Sequence, residues 1–122
     1  AFAAACVVAG CAAAIAEPLL GAEVRALVKG KRLFLSTPYG VDLPLHYKAD
    51  GTVSGDLSGF SVSSLLAPRE IGKWWVEGRQ LCQKWPTWYD GRQFCFKITS
   101  LGGGKITWLR DDGASGTARV GP

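Results

Sequence analysis

Regularly spaced turn signals divide most of this chain into short segments. Glycine-containing turn signals occur at 38–40, 50–51, 58–59, 102–104 and 112–113. Between them, apolar and polar side chains tend to alternate, which is the pattern of half-buried strands. The candidate strands are 31–36, 43–49, 52–57, 60–66, 70–77, 79–85, 92–99, 104–110 and 115–120. This spacing predicts a mainly β domain, a small antiparallel barrel or sandwich of about seven to nine short strands.

Two cysteines in the β-rich part set the register of one hairpin. When Cys82 is placed opposite Cys95, with a turn region at 86–91, Leu81 falls opposite Phe96. Apolar side chains then pair with apolar ones, and polar neighbours pair likewise. The matching pattern predicts a disulfide between Cys82 and Cys95, with a stabilisation of roughly 3 kcal/mol for a loop of this length.

The preceding hairpin indicates which side chains share a face of the sheet with the disulfide. A two-residue turn at Glu77-Gly78 would pair Trp74 with Leu81 and leave Trp75 on the face of the disulfide. The opposite face is the predicted core. The predicted core residues are Trp74, Leu81, Phe94, Phe96 and Ile98. Together with Trp108, they are also the candidate residues of a pocket.

Residues 1–16 form an uncharged, Ala-rich segment that is typical of the apolar region of a signal peptide. Ala14-Ile15-Ala16 is a suitable cleavage site, which leaves 17–122 as a single β-rich domain. In a second reading, Cys11 ends a lipobox-like sequence and is lipidated, so that it tethers the domain to a membrane. A third reading retains 1–16 as a membrane anchor. Signal cleavage and lipidation both export the chain to the periplasm or the medium, where disulfides are stable.

A short amphipathic helix follows the predicted cleavage site. Leu20, Val24, Leu27 and Val28 have the i, i+4, i+7, i+8 spacing of one helical stripe, and Gly30 is a suitable C-terminal cap. The pattern predicts a helix at about 18–29 that lies against the sheet.

The order of these motifs resembles that of small secreted proteins of Gram-negative bacteria. The residues that carry the resemblance are the run from Leu20 to Lys31, Asp50-Gly51-Thr52, the segment from Gly72 to Trp85, Cys95-Phe96 and Asp112-Gly113. That family combines a signal peptide and a short helix with G-x-W-x-V-E-G-x-x-L-C and C-F hairpins. The resemblance implies an exported β domain, and it implies no activity.

The residue content argues against several classes of function. His46 is the single histidine, so a Ser-His-Asp triad could form only around His46. One histidine and the two remaining cysteines are also too few ligands for a four-ligand zinc site. No phosphate-binding glycine loop is present. The net charge is +4, but no run of Lys and Arg exceeds two residues, and an exported domain rarely meets nucleic acid. We therefore expect a non-catalytic protein without metal, cofactor or nucleic-acid partner.

Two binding functions remain open. In the first, a rigid aromatic surface contacts an envelope protein or glycan, as an accessory subunit or inhibitor would. Its candidate residues are Trp75, Trp85, Trp88, Tyr89 and Arg92. In the second, the domain is a small-ligand barrel with an aromatic pocket that includes Trp74, Phe94, Phe96 and Trp108. The sequence also allows Trp85 and Trp88 to fold back and cover an open end of the barrel.

Overall fold

The chain folds as a closed, eight-stranded antiparallel β-barrel with one α-helix. The computed structural model describes residues 17–37, 42–58 and 67–122. Each strand pairs with the next one in sequence, and the last strand pairs with the first. The elements are α1 (Gly21–Val28), β1 (Lys31–Leu35), β2 (Leu43–Tyr47), β3 (Thr52–Asp56), β4 (Arg69–Glu77), β5 (Gln80–Lys84), β6 (Gln93–Gly102), β7 (Lys105–Arg110) and β8 (Ser115–Gly121). A 3-10 turn, Trp88–Gly91, lies between β5 and β6.

The alternation in the sequence becomes an inside and an outside face. In β4, for example, Glu70, Gly72 and Trp74 are buried, while Ile71 and Lys73 are exposed. Closure of the barrel pairs β8 with β1, so that neither strand presents an open edge. The predicted β class is thereby confirmed, and of the two architectures left open the barrel is the one observed. The candidate strand 60–66 lies outside the described residues.

Helix α1 covers one end of the barrel. Val24 and Val28 are fully buried, and the helix packs against β1, β4 and β5. The guanidinium of Arg25 lies 5.6 Å from the ring centre of Trp74. Gly30 has a φ of +77° and follows the helix as predicted, where a left-handed residue ends the helical turn. None of the helices in the described ranges has the length and apolar character needed to cross a membrane.

The hairpin of β5 and β6 has the predicted register. Cys82 lies opposite Cys95 and is joined to it by a disulfide, and Leu81 lies opposite Phe96. Both sulfur atoms are on the outer face of the barrel, next to Trp75, which lies opposite Cys82 on β4. The disulfide therefore braces the outside of the barrel wall and leaves the interior to apolar side chains.

The predicted turn between β4 and β5 is wrong by one position. Glu77 pairs with Gln80, so the two turn residues are Gly78 and Arg79 instead of Glu77 and Gly78. Gly78 takes the first central position with a φ of +62°, which a hairpin turn tolerates best in glycine. Each residue of β4 therefore pairs with a residue of β5 two positions further along than predicted. Because side chains alternate between the two faces, a shift of two positions leaves the faces unchanged, and Trp74 points inward and Trp75 outward.

Candidate functional site

The barrel contains an apolar cavity of about 250 Å³. It lies towards the end opposite α1, where β1 ends, β2 begins and β5 leads into the 3-10 turn. Leucines of three strands form one part of its wall: Leu33 and Leu35 of β1, Leu43 and Leu45 of β2, and Leu81 of β5. Aromatic rings form much of the rest, from Trp85, Trp88, Tyr89, Phe96 and Trp108.

Three strand glycines make room for three of the tryptophan rings. A Cβ at Gly55 would lie 2.6 Å from the ring of Trp88, and one at Gly72 would lie 3.1 Å from the ring of Trp85. A Cβ at Gly116 would likewise lie 2.6 Å from the ring of Trp108. Each indole therefore packs directly on the backbone of a strand, where a side chain would otherwise occupy the barrel interior.

The 3-10 turn and the residues before it are held by a buried carboxylate. Glu70 accepts hydrogen bonds from the backbone N–H groups of Thr87, at 3.1 Å, and Trp88, at 3.0 Å, and from the Thr87 hydroxyl. The indole N–H of Trp88 donates to the carbonyl of Ala67 at 2.8 Å. Burial opposes ionisation of Glu70, but the hydrogen bonds from Thr87 and Trp88 outweigh it and lower the pKa of this carboxyl group.

A hydrogen-bonded pair of polar side chains crosses the interior. The hydroxyl of Tyr47 on β2 donates to Oε1 of Gln83 on β5 over 2.6 Å, and both residues are buried. Burial, reinforced by the nearby Tyr89, raises the pKa of the Tyr47 phenol, so Tyr47 stays neutral. The pair gives the cavity a polar feature without a net charge.

Among the described residues of the cavity wall, Arg110 is the one with a charged side chain. Its Nε and one terminal nitrogen donate to the two carboxylate oxygens of Asp112, at 2.8 and 2.9 Å. The hydrogen bond from Arg110, with one from the Ala114 N–H, lowers the pKa of Asp112 to about 2. The guanidinium also lies 4.4 Å from the ring centre of Phe94. The charge of Arg110 is thus compensated by its own neighbour.

The predicted interaction surface is divided by the structure. Tyr89 and Arg92 are exposed, Trp75 is half-buried, and the indole of Trp75 donates to Glu77. Trp85 and Trp88 are buried, with exposures of 1% and 4%, so they close the interior instead of forming a surface. Tryptophan following a strand is compatible with either placement, and the glycines beneath the rings favour the inward one.

The predicted core residues lie inside the barrel, in two groups. Leu81, Phe96, Ile98 and Trp108 contact the cavity. Trp74 packs edge-on against Tyr47 at the helix end, with ring centres 5.9 Å apart, and Phe94 lies beneath the guanidinium of Arg110. The candidate lipidation site Cys11 and the rest of 1–16 lie outside the described residues.

Several residues of the cavity wall were not predicted from the sequence. Tyr47, Gln83 and the leucines of β1 and β2 all line the cavity. The alternating Leu-x-Leu patterns of 33–35 and 43–45 were a usable signal for inward-facing strands. The role of Glu70 had a weaker signal, its place two residues before Gly72 on the inward face of β4.

The described groups offer no intact metal centre. Glu77 and the sulfur atoms of Cys82 and Cys95 approach within 4.8 Å of one another, but both sulfurs are used in the disulfide. A disulfide lacks the thiolates that a metal needs as ligands.

The fold and site together define a class: a closed eight-stranded barrel with an internal apolar cavity. Comparison with protein-family models, curated proteins and solved structures finds no match to this chain.

Proposed function

We propose that this domain binds one small apolar molecule inside its barrel. The observation that carries the proposal is the cavity of about 250 Å³ in the closed barrel. Eight-stranded barrels are either filled by side chains or hold one small ligand. An apolar cavity of about 150 Å³ already binds benzene in an engineered protein, so the volume here suits a compact organic molecule.

The character of the wall supports an apolar ligand over water. Leucines and aromatic rings dominate the described lining, and the hydroxyl of Tyr47 is already engaged by Gln83. Water needs two to four polar partners to be held in a cavity, and such a wall supplies few. A ligand that fills the space would gain contacts that the empty cavity lacks.

We propose binding without catalysis. The titratable side chains on the described wall are those of Tyr47, Tyr89 and Arg110. Tyr47 is held neutral by burial and donates to Gln83, and Arg110 is paired with Asp112. Neither is thereby poised to act as a general base.

We also propose that the protein is exported to the periplasm or the medium of a Gram-negative bacterium. The disulfide between Cys82 and Cys95 supports this, because structural disulfides are characteristic of oxidising compartments. The resemblance of the hairpin motifs to small secreted proteins agrees with it.

A cavity-filling variant tests the binding proposal. Toluene is titrated into the wild-type protein and two variants, and the melting temperature is followed by circular dichroism. Leu35→Trp adds volume inside the cavity, whereas Leu109→Trp adds the same side chain on the outer face. Toluene should raise the melting temperature of the wild type and Leu109→Trp by mass action, and that of Leu35→Trp much less. No rise in the wild type, or an equal rise in both variants, would overturn the proposal.

A second candidate is a surface that contacts an envelope protein or glycan. Tyr89 is 46% exposed at the cavity end of the barrel, and Arg92 is exposed nearby. Exposed tyrosine and arginine are common at interfaces. Binding of the wild type to a glycan array and to purified envelope proteins, compared with Tyr89→Ser/Arg92→Ser, tests this candidate. Undiminished binding by the double variant would contradict it.

A further inference from the structure

Two of the five tryptophans have an indole N–H group without an acceptor. In the described part of the chain, the nitrogens of Trp85 and Trp108 are buried and make no hydrogen bond. The other three donate, Trp74 to Lys48, Trp75 to Glu77 and Trp88 to Ala67. An unpaired buried donor destabilises the folded protein, so its presence in a native structure calls for a reason.

The two unpaired indoles are seated differently. The atoms of Trp108 nearest to a Cβ at Gly116 include Nε1, at 3.2 Å, so its nitrogen edge is packed on β8. The atoms of Trp85 nearest to a Cβ at Gly72 are the carbons Cε3 and Cδ2, at 3.1 and 3.2 Å. The nitrogen edge of Trp85 is therefore not the part that rests on the strand. Trp85 is 1% exposed to solvent and contributes to the cavity wall.

The charged groups near the cavity already have partners. Asp112 binds Arg110 through both carboxylate oxygens, and Glu70 is held by Thr87 and Trp88. A ligand carboxylate would either share Arg110 with Asp112, which places a second negative charge on one guanidinium, or lie unpaired among leucines and aromatic rings. Either arrangement is costly, because a buried charge without a partner loses its hydration.

From these observations we infer the class of ligand, an inference that rests on the proposed function above. The ligand is an uncharged apolar molecule with one hydrogen-bond acceptor, such as a ketone, ester or ether oxygen. The indole N–H of Trp85 donates to that oxygen, and the apolar part of the molecule fills the cavity. Ligand binding thus gives the unpaired donor of Trp85 its missing acceptor.

Three probes with eight carbon atoms separate the alternatives: octane, methyl hexyl ketone and octanoate. Their affinities for the wild-type protein are measured by calorimetry at neutral pH. A neutral hydrogen bond contributes about 0.5–1.5 kcal/mol, so the ketone should bind about two- to twelvefold more tightly than octane. Octanoate should bind more weakly than the ketone.

Phenylalanine variants identify the donor. Trp85→Phe keeps an aromatic ring but removes the N–H, so the ketone should lose its preference over octane. Trp75→Phe is the matched control, because it removes an indole N–H from the outer face. Trp108→Phe removes the other unpaired N–H from the cavity wall, and any change in affinity that it causes should apply equally to the ketone and to octane. Loss of the preference in Trp108→Phe instead of Trp85→Phe would overturn the assignment of the donor.

A measurement on the wild type avoids dependence on the variants' folding. The indole N–H resonances are observed by ¹H–¹⁵N NMR, and the Trp85 signal should shift downfield with the ketone but not with octane. If none of the probes binds, the proposed function itself fails. If octane and the ketone bind equally, or octanoate binds most tightly, the ligand class is wrong while internal binding stands.

Discussion

The hydroxyl of Tyr47 donates a hydrogen bond of 2.6 Å to Oε1 of Gln83. Tyr47 lies on β2 and Gln83 on β5, strands that are not neighbours in the barrel, so the bond crosses the interior. Tyr47 also packs edge-on against Trp74, which lies near α1, while both Tyr47 and Gln83 line the cavity. The pair therefore lies between the filled helix end and the cavity.

Removal of one partner should cost more than removal of both. Tyr47→Phe leaves Oε1 of Gln83 buried without this donor, and we expect a loss of about 1–3 kcal/mol in the free energy of unfolding. Tyr47→Phe/Gln83→Leu removes both polar groups and should recover part of that loss. Urea denaturation of the single and double variants measures the coupling. Additive losses would show that the bond does not contribute to stability.

The disulfide predicts a second pattern of non-additivity. Cys82→Ser and Cys95→Ser each abolish the same covalent bond, so each should lower stability by about 3 kcal/mol, and the double variant should lose no more. Thermal unfolding with and without reductant checks this, because the reduced wild type should match the variants. A double variant that is clearly less stable than either single one would contradict the prediction.

The register of this hairpin could be predicted because three signals agreed. The cysteines, the apolar pair Leu81 and Phe96, and the turn residues between them all fit one alignment. The neighbouring turn was predicted at Glu77-Gly78 and lies at Gly78-Arg79, two alternatives that the alternation of side chains does not separate. Both alternatives place Trp74 inside the barrel and Trp75 outside, since they differ by an even number of residues in the pairing.

The burial of Trp85 and Trp88 could not be predicted from their own segment. It depends on Gly55, Gly72 and Glu70, which lie on β3 and β4 and meet the tryptophans only in the folded barrel. A single sequence does not show which distant glycine faces which ring. The cavity has the same origin, because its volume is what remains after rings and leucines of separate strands have packed.

The contact between Gly55 and Trp88 gives a direct test of this packing. In Gly55→Ala, the new methyl group would lie 2.6 Å from Cζ3 of Trp88 and 3.0 Å from Cδ2 of Leu45. Trp88 would have to move, and overpacking of this kind costs about 1–3 kcal/mol. Urea denaturation measures the loss, and near-ultraviolet circular dichroism reports the displaced ring.

A matched control is Ser54→Ala, the neighbouring position on the outer face of β3. It should change stability by less than about 0.5 kcal/mol, as surface substitutions usually do. In a Trp88→Leu background, Gly55→Ala should cost less than in the wild type, because the clashing ring is gone. An equal cost in both backgrounds would mean that Trp88 does not occupy the space above Gly55.

The carboxylate of Glu70 should make stability depend on pH. Its pKa is lowered in the folded protein by Thr87 and Trp88, so the unfolded chain takes up this proton first as the pH falls. The stabilisation by the ionised group is complete above the ordinary glutamate pKa of about 4.3 and is lost as the pH falls through the folded value. Glu70→Gln cannot titrate, and its stability deficit relative to the wild type should shrink with decreasing pH.

The free energy of unfolding is measured by urea denaturation at intervals between about pH 6 and pH 3. Asp56 and Asp112, whose pKa values are lowered to about 2, remain in both proteins and cause an acid loss common to them. Glu17→Gln removes the same charge at an exposed position before α1 and serves as the control. A deficit of Glu70→Gln that stays constant across the range would show that the ionised carboxylate does not hold the turn.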